Sequence, residues 1–147
     1  MLSHREAVEA LIAAREQKDK EAVAALLADH VELSQPQSLK EEPTRGRDAV
    51  ATALSGGIGG AFFDLNTMVR RIKRISVADD VVFVEQHVDA KTPQGTDYSN
   101  DYVWVYTFEG ELIAHIEEHL DTLRFSRIIK AARAVADAAK ADAGGGK

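Results

Sequence analysis

Between Leu65 and Leu120 the chain passes through four consecutive stretches rich in β-branched and aromatic residues, and each junction is too short for a helix. The spacing predicts strands over Leu65 to Val77, Val81 to Ala90, Tyr98 to Phe108 and Leu112 to Leu120. Ala78-Asp79-Asp80, Thr92-Pro93-Gln94-Gly95 and Glu109-Gly110-Glu111 supply the turns. Strands joined in this way form an antiparallel meander, which cannot exist alone in water because one face must be covered.

The cover comes from the first third of the chain. Ser3 followed by Glu6 matches a capping box, and Val8, Leu11 and Ile12 recur at helical spacing until Glu16-Gln17-Lys18-Asp19. Val23, Ala24, Leu26 and Leu27 predict a second short helix running out near Ala28-Asp29-His30. Val31 to Ser34 alternates as a short strand before Pro36 and a polar loop to Pro43, and Gly46-Arg47-Asp48 opens a third helix over Ala49 to Leu54. The Gly56 to Gly60 run is expected to end that helix as a flexible connection or a mobile lip of a pocket. The fold class is therefore α+β, helices first and meander second.

Length and composition limit the rest. A chain of 147 residues with 45% hydrophobic content supports one core, so we expect a single domain over 1–127. An alanine-rich helix with a loose glycine tail is expected over 128–147. A formal charge of −6 argues against nucleic acid, and no apolar run is long enough to span a bilayer, so neither nucleic acid nor membrane is an expected partner. With no cysteine, disulfides, thiolate metal sites and cysteine nucleophiles are excluded, which suits the cytoplasm.

Three motifs carry a family resemblance: Leu27-Ala28-Asp29-His30-Val31, Gly46-Arg47-Asp48-Ala49-Val50, and the closing strands from Val103 through Gly110 to Glu118-His119-Leu120-Asp121. In this order, across Glu6 to Phe125, the chain resembles the SnoaL-like, ketosteroid isomerase and limonene-epoxide hydrolase superfamily of nuclear transport factor 2-like fold. That resemblance implies a cone-shaped curved sheet wrapped around the helices, with one central pocket for a hydrophobic or amphipathic small molecule. It also implies a homodimer packed through the outer sheet faces, and cofactor-independent acid–base chemistry: epoxide hydrolysis, or isomerisation and cyclisation. A non-catalytic binding or dimerisation module is the alternative, because the fold hosts both.

By the same resemblance, His87-Val88-Asp89 stands where limonene-epoxide hydrolases carry Arg-x-Asp, and Glu118 where they carry a second acid. His87, Asp89 and Glu118 are thus the implied catalytic residues, two carboxylates serving as acid and base. Glu32 and Ser34 occupy the positions of a water-holding Tyr and Asn in that family. With His87 and Asp89 inward, alternation adds Phe83 and Glu85, together with Asn100, Tyr102 and Trp104 on the next strand; Leu120 joins Glu118. A one-residue slip of the last strand would present Glu117, His119 and Asp121 instead of Glu118.

Three further patterns bear on chemistry. His115-Ile116-Glu117-Glu118-His119 matches the H-x-x-E-H zinc motif, which needs a helix; on a strand its histidines stand roughly 13 Å apart, so no metal is expected. Arg70, Arg71, Lys73 and Arg74 either recognise an anionic group or protect a sheet edge with charge. No Ser-His-Asp signature is visible in the spacing.

Overall fold

Helix α1 (His4–Glu16) begins where the capping box predicts: Ser3 Oγ accepts from the Glu6 amide at 3.1 Å, and the Ser3 amide donates to Glu6 Oε1 at 3.1 Å. Such a cap contributes about 1 kcal/mol. Ala7, Val8, Leu11 and Ala14 form its buried stripe, and Arg15 follows at the edge of that stripe. The computed structural model describes residues 1–145, so Gly146 and Lys147 of the expected glycine tail lie outside the described residues.

Helix α2 (Lys20–Ala24) is shorter than expected, because Leu27 already belongs to β1 (Leu27–Ser34). Leu27, Val31 and Leu33 are wholly buried in that strand, and burial outweighs the helical spacing of Leu26 and Leu27. Strand β2 (Thr44–Arg45) is a two-residue edge, and α3 (Arg47–Thr52) follows Gly46. The glycine run does not stop the helix cleanly: a wide turn over Ala53–Gly57 leads into α4 (Ile58–Gly60), with the break at Gly56, whose φ of 102° favours glycine.

Four strands complete the meander: β3 (Asp64–Ala78), β4 (Val81–Lys91), β5 (Asp97–Glu109) and β6 (Leu112–Leu120). Asp79 (φ 53°) and Gly110 (φ 60°) make the tight turns β3–β4 and β5–β6. The sheet order is β2-β1-β6-β5-β4-β3, antiparallel except for the parallel β1–β6 pair. Register shifts between Ile72 and Arg74 in β3 and between Thr107 and Phe108 in β5 mark irregularities of the kind that curve an open sheet.

The inner face carries two apolar clusters. One joins α1 to α3 with Val82, Val84, Trp104, Tyr106, Ile113 and Ile116. The other gathers Phe63, Val88, Ala90, Tyr98 and Ile129. Ile129 belongs to α5 (Thr122–Gly145), which starts earlier than the expected boundary at 128. Its first half is not loosely attached: Ile129 and Ala132 are buried, and Phe125 stacks edge-on against Tyr98 and Phe62. The sequence pattern hides this because Phe125, Ile129 and Ala132 form a narrow stripe among alanines.

Candidate functional site

Between the two clusters lies a cavity of about 520 Å³, within the size range of sites for small organic ligands. Tyr102 packs against both clusters and lines the gap. Phe62, Phe63, Met68, Val88, Phe125 and Ile129 form the apolar end. Glu118, Trp104, Gln86, Arg15, Arg70 and Gln35 form the polar end.

Strand register decides which residues reach this space. Trp104 pairs with Val84 on one side and Glu118 on the other, and Tyr102 pairs with Gln86 and Leu120. Directly paired residues share a face. Trp104, Glu118, Tyr102 and Leu120 therefore look inward, and all four line the cavity as the sequence suggested. The open question of the last strand is settled in favour of Glu118, since Glu117 and His119 take the outer face. Asp121 follows the end of β6, and its carbonyl accepts a bond from Asn100 Nδ2.

The expected inward placement of His87 and Asp89 is corrected. On β4 the buried residues are Val82, Val84, Gln86, Val88 and Ala90, so Phe83, Glu85, His87 and Asp89 fall on the opposite, outer face. His87 pairs with Asp101 and Asp89 with Ser99, one step away from the Tyr102 and Trp104 alignment that the sequence reading assumed. Glu32 and Ser34 also leave the pocket: Arg45 Nε donates to Glu32 at 3.1 Å, and Ser34 Oγ lies 3.1 Å from His115 Nε2. Asn100 is buried but does not line the cavity; its amide donates to Tyr98 Oη at 2.9 Å and to the Asp121 carbonyl at 3.0 Å.

Glu118 is the cavity's carboxyl group. It is only 7% exposed, and burial raises its pKa, with Arg15 and Gln35 opposing the shift. Tyr102 Oη sits 2.6 Å from Tyr98 Oη, and burial holds its pKa above the usual phenol value, so the hydroxyl keeps its proton. Asn100 Nδ2 donates to Tyr98 Oη, and either tyrosine can supply the proton shared between the two hydroxyls; when Tyr98 supplies it, the Tyr102 hydroxyl is free to donate into the cavity. Arg15 lies 4.4 Å from the centre of the Trp104 ring, a cation–π contact. Among the described residues Trp104 Nε1 is buried without a hydrogen-bond partner.

The outer face holds a different arrangement. His87 Nδ1 lies 2.9 Å from Asp101 Oδ1, and Nε2 lies 2.9 Å from Ser99 Oγ and 3.2 Å from Asp89 Oδ1. Lys73 Nζ contacts Asp101 at 2.8 Å and holds its pKa down to about 2, with His87 helping. Ser99, His87 and Asp101 thus stand in the order of a nucleophile, base and orienting acid, which no sequence spacing announces. None of the three lines the cavity, and the Asp101 amide is already taken up by Asn100 Oδ1 at 2.9 Å. His115 lies in strand β6, not in a helix, so the H-x-x-E-H reading has no structural basis.

Arg15, Gln35, Phe63, Met68, Arg70, Gln86 and Phe125 are lining residues that the sequence reading did not single out as pocket, although Arg70 stood in the noted basic run. One signal was available: the even-numbered apolar positions from Val82 to Ala90 already mark the buried face of β4.

An α+β domain with an open curved sheet, a helical cover and a cavity between them defines the class of nuclear transport factor 2-like proteins. The family model described as a SnoaL-like domain matches residues 8–116, and the chain belongs to that family. An NTF2-like protein of unknown function from Burkholderia pseudomallei is similar at 21% identity and TM-score 0.74, over 88% of this chain and 98% of that one. TerC, crystallised with polyporic acid, is similar at 18% identity and TM-score 0.74, over 86% and 98%. A protein of ketosteroid isomerase-like fold from Catenulispora acidiphila, in complex with trimethylamine, is similar at 17% identity and TM-score 0.64, over 78% and 84%. No curated protein matches the chain. No described helix is long and apolar enough to cross a membrane.

Proposed function

We propose that this chain is a cofactor-independent enzyme of the SnoaL-like type, moving a proton on a hydrophobic or amphipathic small molecule by isomerisation or cyclisation. The observation that carries this reading is the buried carboxyl of Glu118 at the polar end of a cavity whose other end is apolar. A carboxyl whose pKa is raised by burial works as a base nearer neutral pH and returns the proton as an acid. In this reading, Glu118 takes a proton from a carbon next to a carbonyl, Tyr102 donates to the developing enolate oxygen, and Glu118 delivers the proton to a second carbon. Tyr102 and Glu118 are diagonal neighbours on one face of β5 and β6, a spacing of roughly 7–8 Å that leaves room for a substrate between them.

Epoxide hydrolysis has less support, because the second carboxylate it needs, Asp89, is on the outer face. The same fact favours a second reading, a non-catalytic binding module, in which Glu118 and Tyr102 only recognise a ligand. Two copies are proposed to meet through the outer faces, where Phe83 and Val103 are 37% and 36% exposed. Hydrogen–deuterium exchange next to the carbonyl of a bicyclic aromatic ketone, followed by NMR, separates the two readings. The enzyme reading expects acceleration by the wild type and its loss in Glu118→Gln; a ketone that binds without faster exchange supports the binding module, and exchange unchanged in Glu118→Gln overturns the role of Glu118.

A further inference from the structure

Charge is unevenly distributed around the cavity. The chain as a whole carries a formal charge of −6, yet the cavity lining holds Arg15, Lys40, Arg70, Lys130 and Arg133 against Glu118 as its one acidic residue. The ion pairs of the described residues engage Arg5, Lys20, Arg45, Arg47, Lys73, Arg74 and Lys91, all of them elsewhere. Among the described residues none of the five cavity cations has a carboxylate within salt-bridge distance. Arg15 donates to the Leu54 carbonyl at 3.3 Å and Lys40 to Thr44 Oγ1 at 2.7 Å, both neutral partners.

Arg70 stands out within this set. It alternates inward from the basic run of β3, whereas Arg74 pairs with Glu85 and Lys73 with Asp101 on the outer side. It is half-buried, and desolvation first and Arg15 second lower its pKa. Glu118 and Glu16 act on these two guanidinium groups through space, but among the described residues neither carboxylate makes an ion-pair contact with them, so the donors of Arg70 remain open to an entering anion.

Resting on the reading of this cavity as the functional site, we propose that its ligand is an amphipathic organic acid. The acidic group is held by the guanidinium of Arg70 with Arg15 beside it, and an aromatic or alicyclic body lies between Phe62, Met68, Val88 and Phe125. Lys130 and Arg133, on α5, attract the anion toward the mouth without specifying its position.

Two fluorescent probes with the same body isolate the acid. 1-Anilinonaphthalene-8-sulfonate and N-phenyl-1-naphthylamine differ by one sulfonate, and equilibrium titration of the full chain is expected to show ~10-fold tighter binding of the sulfonate, the effect of one charge-assisted contact. Arg70→Gln should remove that preference while the neutral probe still binds with wild-type affinity, and a cooperative urea transition like that of the wild type shows that the variant is folded. Arg133→Gln should lower it only slightly. Equal affinity for the two probes in the wild type overturns the acid while leaving the cavity as a site. A preference that survives Arg70→Gln overturns the assignment to Arg70, and binding of neither probe overturns both this inference and the proposed function.

Discussion

The two faces of the sheet are made from alternate residues of the same strands, yet they solve opposite problems. On the inner face Val84, Gln86, Tyr102, Trp104 and Glu118 are shielded from water, so each polar group's protonation is set by burial. On the outer face His87, Asp89, Ser99 and Asp101 form a denser polar network whose two carboxylates are exposed in the single chain. The outer cluster looks more like catalytic machinery, but none of its four residues lines the cavity. The inner face has fewer charged groups, and Glu118, Arg70 and the phenol of Tyr102 line the cavity. A proton donor or base is useful only where a substrate can be held and water excluded, so density of polar contacts is a poor guide to the site.

The sharpest way to break this contrast is to neutralise one carboxylate on each face. Glu118→Gln is expected to lower turnover by ~10²–10⁴-fold, the usual contribution of a positioned acid–base group. Asp89→Asn is expected to leave turnover essentially unchanged, and steady-state kinetics on a common substrate checks both. A loss in Asp89→Asn equal to that in Glu118→Gln would put chemistry back on the outer face.

Packing offers a second comparison, on β5 alone. Trp104, 2% exposed and touching both Tyr106 and Arg15, should lose about 3–5 kcal/mol on substitution by Ala. Its neighbour Val103, 36% exposed on the outer face, should lose under about 1 kcal/mol. Urea denaturation of the two variants measures the difference, and similar losses would mean that the outer face is as closely packed as the inner.

Acid and base stability should separate the faces again, with smaller effects. Burial raises the pKa of Glu118 above 4.5, so the folded state binds this proton more tightly than the unfolded chain. Its contribution is fully present below pH 4.5 and is lost as pH rises through the raised value. Glu118→Gln should flatten that part of the profile. Asp101 behaves in the opposite sense: held from 3.8 down to about 2 by Lys73 and His87, it stabilises above 3.8 and loses that contribution as pH falls toward 2. Asp101→Asn should remove only this acid limb, and denaturation midpoints measured across pH show whether the two limbs belong to these two groups.

How far the sequence exposes this molecule differs between the fold and the site. The meander was legible because Val81 to Ala90, Tyr98 to Phe108 and Leu112 to Leu120 combine β-branched and aromatic residues with short turns, and their observed limits differ by a residue or none. The capping box at Ser3 and Glu6 was equally plain. The start of β1 was not, because Leu26 and Leu27 suit a helix locally and are claimed by the sheet through tertiary burial. The site was half legible. Glu118, like His87 and Asp89, rested on resemblance, and Tyr102 and Trp104 on alternation beside an assumed inward His87; β5 and β6 do place Glu118, Tyr102, Trp104 and Leu120 at the cavity, whereas Val82, Val84, Val88 and Ala90 already marked the other face of β4 as buried. The parts contributed by Arg15, Arg70 and Phe125 depend on how α1, β3 and α5 come together, which no local pattern encodes.

Ligands are predicted to enter the inner cavity, which Trp104, the chain's single tryptophan, lines. Titrating the protein with N-phenyl-1-naphthylamine while following Trp104 emission therefore tests that claim directly. Saturable quenching at one ligand per chain, lost when Val88→Phe fills the cavity and retained in Asp89→Asn, is the predicted result. Quenching that survives Val88→Phe, or binding that leaves Trp104 emission unchanged, would contradict it.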